Sequence, residues 1–168
     1  MVQFTICQSN EDWSRYTAFY LAHRQQVIPN YQVKHVLLDV IHCIKHGRAA
    51  LLTDEDGRMI GIGGFVLGLE HQKFERKDIA VLNNCCFAAS HQGNRTFIRG
   101  LQVLADQIAD MQPDVSEVRI PTMAANAYTN GLYRKFAEVL ETRDTEYGPV
   151  HTYTTTFEGF ARFCDRFR

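Results

Sequence analysis

Three apolar runs lie close together between residues 48 and 88, and their spacing limits the possible folds more than any other feature. RAALLT and MIGIGGFVLGLE flank the turn DEDG, the arrangement of a β-hairpin. After the polar connector HQKFERKD a third run, from about Ile79 to Ala88, completes a three-strand meander. A chain with this centre needs a sheet, and its remaining elements must cover that sheet.

The flanking segments supply the cover. VQFTIC alternates as a strand, and SNEDW then offers Ser9 or Asn10 as the N-cap of an amphipathic helix running to about Gln26, before Pro29. A second helix is predicted over Val33 to His46, with Val36, Leu37, Val40, Ile41 and Ile44 on one face and Gly47 as its C-cap. Thr96 to Met111 carries Phe97, Leu101, Leu104, Ala105 and Ile108 at helical spacing, with Pro113 just beyond. VSEVRIP reads as a short strand and Ala127 to Phe136 as a short helix. EVLETRDTEYGPVHTYTTTF reads as two β-branched strands joined at YGPV, and a terminal helix starts near Glu158. The order β, α, α, β, β, β, α, β, α, β, β, α predicts an α/β or α+β fold with a sheet of about seven strands flanked by helices.

The 168 residues, 45% of them hydrophobic and uninterrupted by any linker or repeat, suit one domain over residues 1–168. A net charge of −1, from 18 basic and 19 acidic residues, gives no reason to expect non-specific nucleic-acid binding. The N-terminal segment MVQFTICQSNEDW has no signal-peptide pattern, and no apolar run is long enough to span a membrane. The expectation is a soluble, cytoplasmic protein with no membrane partner. Five cysteines, with Cys85 and Cys86 adjacent, point to reduced thiols rather than a disulfide framework.

The turn SHQGNRTF lies between the third run and a helix. A strand that ends in a turn opening a helix presents unpaired N–H groups and a positive dipole end, which suit an anion such as a pyrophosphate. Two segments then resemble the GNAT superfamily of acyl-CoA-dependent N-acetyltransferases. CCFAASHQGNRTF resembles the strand and pyrophosphate loop of that family: Gln92 takes the Gln/Arg position and Gly93 a neighbouring one that is commonly Gly. Arg95 and Phe97 stand where two glycines are usual, so their side chains must point away or reshape the loop. Residues Gln92, Gly93, Asn94, Arg95, Thr96 and Phe97 form the expected phosphate site, with one or both of Arg95 and Arg99, one helical turn apart, as charged donors. NAYTNGLYRKFAEV resembles a later helix of the family, in which Asn126 takes the position of a cofactor-arm contact and Tyr133 that of a residue near the thioester sulfur. Lys135 replaces the usual Gly before the aromatic Phe136. On residue type alone Asn126 is more often a turn or helix-cap residue and Tyr133 a core aromatic; it is their paired spacing that favours the functional positions.

The resemblance implies a mixed, mostly antiparallel sheet and acetyl-CoA as the acyl donor to a primary amine by direct attack. It implies that the main chain from Cys85 through Phe87 to Ala88 pairs with the pantetheine arm, and that an amide near Phe87 or Ala88 polarises the carbonyl. Tyr133 would then protonate the departing thiolate. For the base, Glu70 is the leading candidate, with Asp78, Glu75 and His71 on the same connector; Asn83 and Asn84 either orient substrate or occupy strand or bulge positions. The alternative function is an inactive acyl-CoA-binding or regulatory module of the same fold. A cysteine nucleophile is disfavoured because alternation puts Cys85 and Cys86 on opposite faces. His42 and His46, with His35 a step back, lack a convincing further ligand, so no metal is expected. The hairpin at residues 138–157 offers an edge for a possible homodimer.

Overall fold

The computed structural model describes residues 2–91 and 93–168. Among these residues the meander forms as predicted. β1 (Gln3–Ile6) precedes α1 (Asn10–Val27) and α2 (Val33–His46), which lead into β2 (Gly47–Thr53), β3 (Met59–Leu67) and β4 (Ile79–Phe87). α3 (Asn94–Met111), β5 (Glu117–Met123), α4 (Ala127–Tyr133), the hairpin β6 (Glu138–Thr145) and β7 (Gly148–Thr156), and α5 (Phe157–Asp165) follow. The described strands form one seven-stranded sheet in the order β1-β2-β3-β4-β5-β7-β6. The β4–β5 pair is parallel and the other neighbours are antiparallel.

Local chemistry accounts for the boundaries. Ser9 caps α1 in a reciprocal box: its hydroxyl accepts from Asp12 N–H, and the Asp12 carboxylate accepts from Ser9 N–H. Gly47 is both the C-cap of α2 and the first residue of β2, so helix passes into strand with no loop. A Cβ on Gly47 would lie 1.7 Å from the carbonyl oxygen of Phe65, so only glycine permits this close passage.

The sheet is covered on both faces. α1 and α2 bury Tyr16, Tyr20, Val36 and Val40 against Leu51, Ile62 and Cys86 on one face. α3 and α5 bury Leu101, Ile108 and Phe160 with Phe65 and Val118 on the other. The predicted apolar face of α2 is corrected here. Val36 and Val40 turn inward together with Cys43, whereas Leu37, Ile41 and Ile44 are exposed at 42%, 44% and 51%. The apolar arc of α2 is wider than the strip the sheet covers, and its outer half faces away.

Two irregularities position the site. β4 and β5 pair only from Ile79 to Val81 against Glu117 to Arg119, and beyond that point they part. Shortly after the parting β4 bulges: its register with β3 shifts between Ile62 and Gly64, and Asn84 adopts a left-handed φ of 64°. Asparagine tolerates this region better than most residues, and the Asn84 amide is tied down by donation to the Tyr16 hydroxyl at 3.2 Å. The expectation that Asn84 occupies a bulge is thus met.

Candidate active site

The parting of β4 and β5 leaves main-chain groups without a ladder partner, and three adjoining cavities fill the gap. The first, of about 490 Å³, is lined by Phe87, Gly93, Phe97 and Tyr128 on the α3 side. A central cavity of about 260 Å³ shares Cys85, Asn126 and Thr129 with it and adds Tyr133. The third, of about 220 Å³, lies toward α2 and β6 and is lined by Glu70, His71 and Glu141. Asp39, Asn83, Pro121 and Arg143 line both the second and the third, forming a neck between them.

On the α3 side, most of the residues expected at the site come together. Gly93 is the N-cap of α3; its backbone is ordinarily extended, and a Cβ there would meet nothing within 4 Å. Its small size therefore leaves open ground at a helix N-terminus rather than relieving strain. Arg95 is exposed and Thr96 half-buried, while Phe97 is 4% exposed. The Phe97 ring turns beneath the cavity, 5.3 Å from Phe87 and 6.2 Å from Tyr133 between centroids, and so forms floor rather than plug. Arg99 turns away and lies over the Phe4 ring at 5.6 Å, which corrects its expected role as a second phosphate donor. Gln92 and the side chain of Asn94 lie outside the described residues.

The main chain of β4 refines one expectation. Ala88 N–H donates to Ile60 O at 2.8 Å, so its amide is committed to β3 and is not available to a ligand. Cys85 and Cys86 do face opposite ways: Cys85 packs with the α3 core and Cys86 with the α1–α2 core. Burial pushes the Cys85 thiol up to about 11 and raises Cys86 still further, so neither is a thiolate at neutral pH.

Asn126 and Tyr133 both reach the central cavity. The Asn126 side-chain oxygen accepts from Thr129 N–H at 3.1 Å, so it also serves as the cap of α4. Tyr133 is 4% exposed among Phe97, Phe136 and Tyr153, and burial holds its hydroxyl well above the ordinary phenol range. That hydroxyl forms no hydrogen bond with another described residue, although its ring is locked on several sides. α4 is held by buried Asn130, whose amide donates to Met123 O and Asn126 O and whose oxygen accepts from Tyr153 at 2.6 Å.

The α2–β6 side holds the residue missed in the sequence. Asp39 of α2 is largely enclosed, and one of its carboxylate oxygens accepts from Tyr20 at 2.7 Å and from Tyr31 at 2.8 Å. Burial raises its carboxyl above the ordinary aspartate value, against the opposing pull of the two phenols. Its signal in the sequence is position: Asp39 falls among Val36, Val40 and Cys43, a carboxylate on the inward face of an amphipathic helix. Glu70 sits in a short 3₁₀ turn after β3, exposed at the outer cavity rather than at the neck. Asp78 is engaged by Arg76 at 2.9 Å, beside the paired end of β4 and β5, and lines none of these three cavities. His42 and His46 rest against Phe74, and His35 bonds the Tyr147 hydroxyl, so the three histidines do not converge. No group of metal-ligating side chains occurs among the described residues. Nor is any helix among them long and apolar enough to cross a membrane.

No protein-family model matches the chain, and no curated protein sequence matches it. Solved structures do. An aminoglycoside acetyltransferase in complex with coenzyme A and kanamycin superposes with a TM-score of 0.70 at 14% identity, over 96% of this chain and 98% of that one. A GNAT-family acetyltransferase from Staphylococcus aureus gives 0.71 at 7% identity, over 92% and 99%. A ribosomal-protein alanine N-acetyltransferase from Escherichia coli gives 0.67 at 16% identity, over 94% of each. Element order, the β4–β5 parting and these superpositions agree that the chain has the GNAT acetyltransferase fold.

Proposed function

We propose that the protein is an acetyl-CoA-dependent N-acetyltransferase that acts on a primary amine by direct attack. The observation that carries this reading is the passage through the parted β4 and β5, with a helix N-terminus at one end, the Tyr133 hydroxyl in its middle and the Asp39 carboxylate at its neck. Coenzyme A in the structure of the aminoglycoside enzyme supports the choice of donor. Here Gly93 and the first turn of α3, with Arg95 at its rim, would hold the pyrophosphate by N–H groups and charge. Acetyl-CoA supplies an activated thioester. The main chain of β4 beyond its parting from β5 borders the side on which the thioester carbonyl oxygen must be stabilised. Tyr133, kept protonated by burial, donates a proton to the departing sulfur.

Asp39, rather than Glu70, takes the proton from the amine. A carboxylate whose affinity for protons is raised by burial is a stronger base than an exposed one, and Asp39 lies at the neck where the two substrates would meet. Glu70 then belongs to the outer wall of the acceptor cavity. A second reading, an acyl-CoA-binding module without catalysis, is favoured by Arg95 and Phe97 in place of the customary glycines. Calorimetry with acetyl-CoA and desulfo-CoA, paired with thiol release over a broad amine panel, separates the two. Binding with amine-dependent thiol release supports the enzyme; binding with no release over the panel supports the module; no binding of either nucleotide overturns both.

A further inference from the structure

The neck between the central and acceptor cavities carries more information than a base alone. Its polar walls come from three separate elements: the Asp39 carboxylate from α2, the Asn83 carboxamide from β4 and the Arg143 guanidinium from β6. Their states differ. Asp39 is fixed by Tyr20 and Tyr31 through one oxygen, Oδ2, which leaves the other without a bond to a described residue. Arg143 makes no ion pair and no side-chain hydrogen bond with a described residue, although it lies in a cavity wall that also carries Glu141. The other arginine there, Arg119, is spent: its Nε donates to Glu117 at 2.6 Å. An uncommitted guanidinium and a fixed carboxylate that line the same two cavities call for a ligand with both charges.

We infer that the acceptor is a free amino acid or a close analogue, an amine with a carboxylate on the adjacent carbon. Its amino group would be met by Asp39 and its carboxylate by Arg143, with Asn83 bonding either. This inference rests on the acetyltransferase reading and deepens it. A guanidinium at the neck disfavours acceptors that bring only positive charge to that point. It also disfavours a peptide N-terminus, which has a neutral amide where the carboxylate would be.

The test compares matched acceptors that differ in that one charge: alanine, alaninamide and ethylamine; lysine, lysinamide and cadaverine; phenylalanine, phenylalaninamide and phenethylamine. kcat/KM is read from thiol release with acetyl-CoA, for the wild type, Arg143→Gln and Arg143→Lys. In at least one set the amino acid is expected to be preferred over its amide by roughly tenfold or more, the usual weight of a charge-assisted hydrogen bond. Arg143→Gln should reduce that ratio to near unity, through KM for the amino acid, while Arg143→Lys keeps part of it. Turnover of amides or amines at or above the amino acids in every set overturns the inference and leaves the acetyltransferase reading intact. So does an Arg143→Gln variant that slows every member of a set equally. Acetyl-CoA binding with no thiol release from any acceptor removes the inference and the enzyme together. Absence of acetyl-CoA binding also removes the fallback of an acyl-CoA module.

Discussion

The two ends of the passage are built differently. The α3 end is aromatic and closely packed: Phe97 meets Phe87 at a tilt and Tyr133 edge-on, and Tyr133 meets Tyr153 edge-on behind it. The α2–β6 end is polar and partly unspent, with Glu70, Glu141 and Arg143 exposed in its walls. A rigid apolar end suits a partner that is always the same, and an adaptable polar end suits one that differs from protein to protein.

The strongest way to break this contrast is to restore the small residue at the rigid end. Phe97→Gly removes a buried ring from the floor and should cost about 3–5 kcal/mol of folding stability by chemical denaturation. A loss below about 1 kcal/mol would mean that the ring is not packed as described. Tyr133→Phe keeps the ring and removes only the hydroxyl, so kcat should fall about 100-fold while KM for acetyl-CoA moves less than about threefold. Equal losses in coenzyme affinity and turnover would instead assign the hydroxyl to binding.

At the polar end the expected effects are smaller and depend on pH. Asp39→Asn should lower kcat/KM roughly 10- to 100-fold at neutral pH and remove the acid limb of its pH profile. In the wild type that limb should lie above the ordinary carboxylate range near pH 4, because burial raises the Asp39 carboxyl. Stability follows the same sign. A raised folded-state value means that the contribution of Asp39 is complete below its unfolded value and is lost as pH rises through the folded one. At neutral pH the substitution should therefore leave Tm unchanged or higher, and a clear drop in Tm would contradict the stated burial. Glu70→Gln, on the outer wall, should change kcat/KM by less than about threefold, and a loss matching that of Asp39→Asn would return the base to Glu70.

The same division decides how much could be read in advance. Element order was legible because strand alternation, helical spacing and the caps agree locally, as at Val33–His46, where the predicted helix and the observed one coincide. The α3 end was legible because Gly93, Phe97, Asn126 and Tyr133 lie within two contiguous segments. The commitment of the Ala88 amide was not, since it depends on register with Ile60 across the sheet. The α2–β6 end was harder still. Asp39 gains its meaning from Tyr20, 19 residues earlier, and the opposing wall comes from a hairpin held to α2 by Tyr147 and His35, 112 positions apart. The inward face of α2 was drawn too wide for a similar reason: periodicity marks the apolar arc, while the breadth of the sheet decides how much of it is covered.

The loopless junction at Gly47 has a mechanical consequence. Because α2 is welded end-on to a sheet strand, the carboxylate it carries is registered to the scaffold. The opposite jaw is the β6–β7 tip, clasped to α2 through Tyr147, and under the proposed function exchange of that tip is the route by which this architecture would be retuned to a new acceptor.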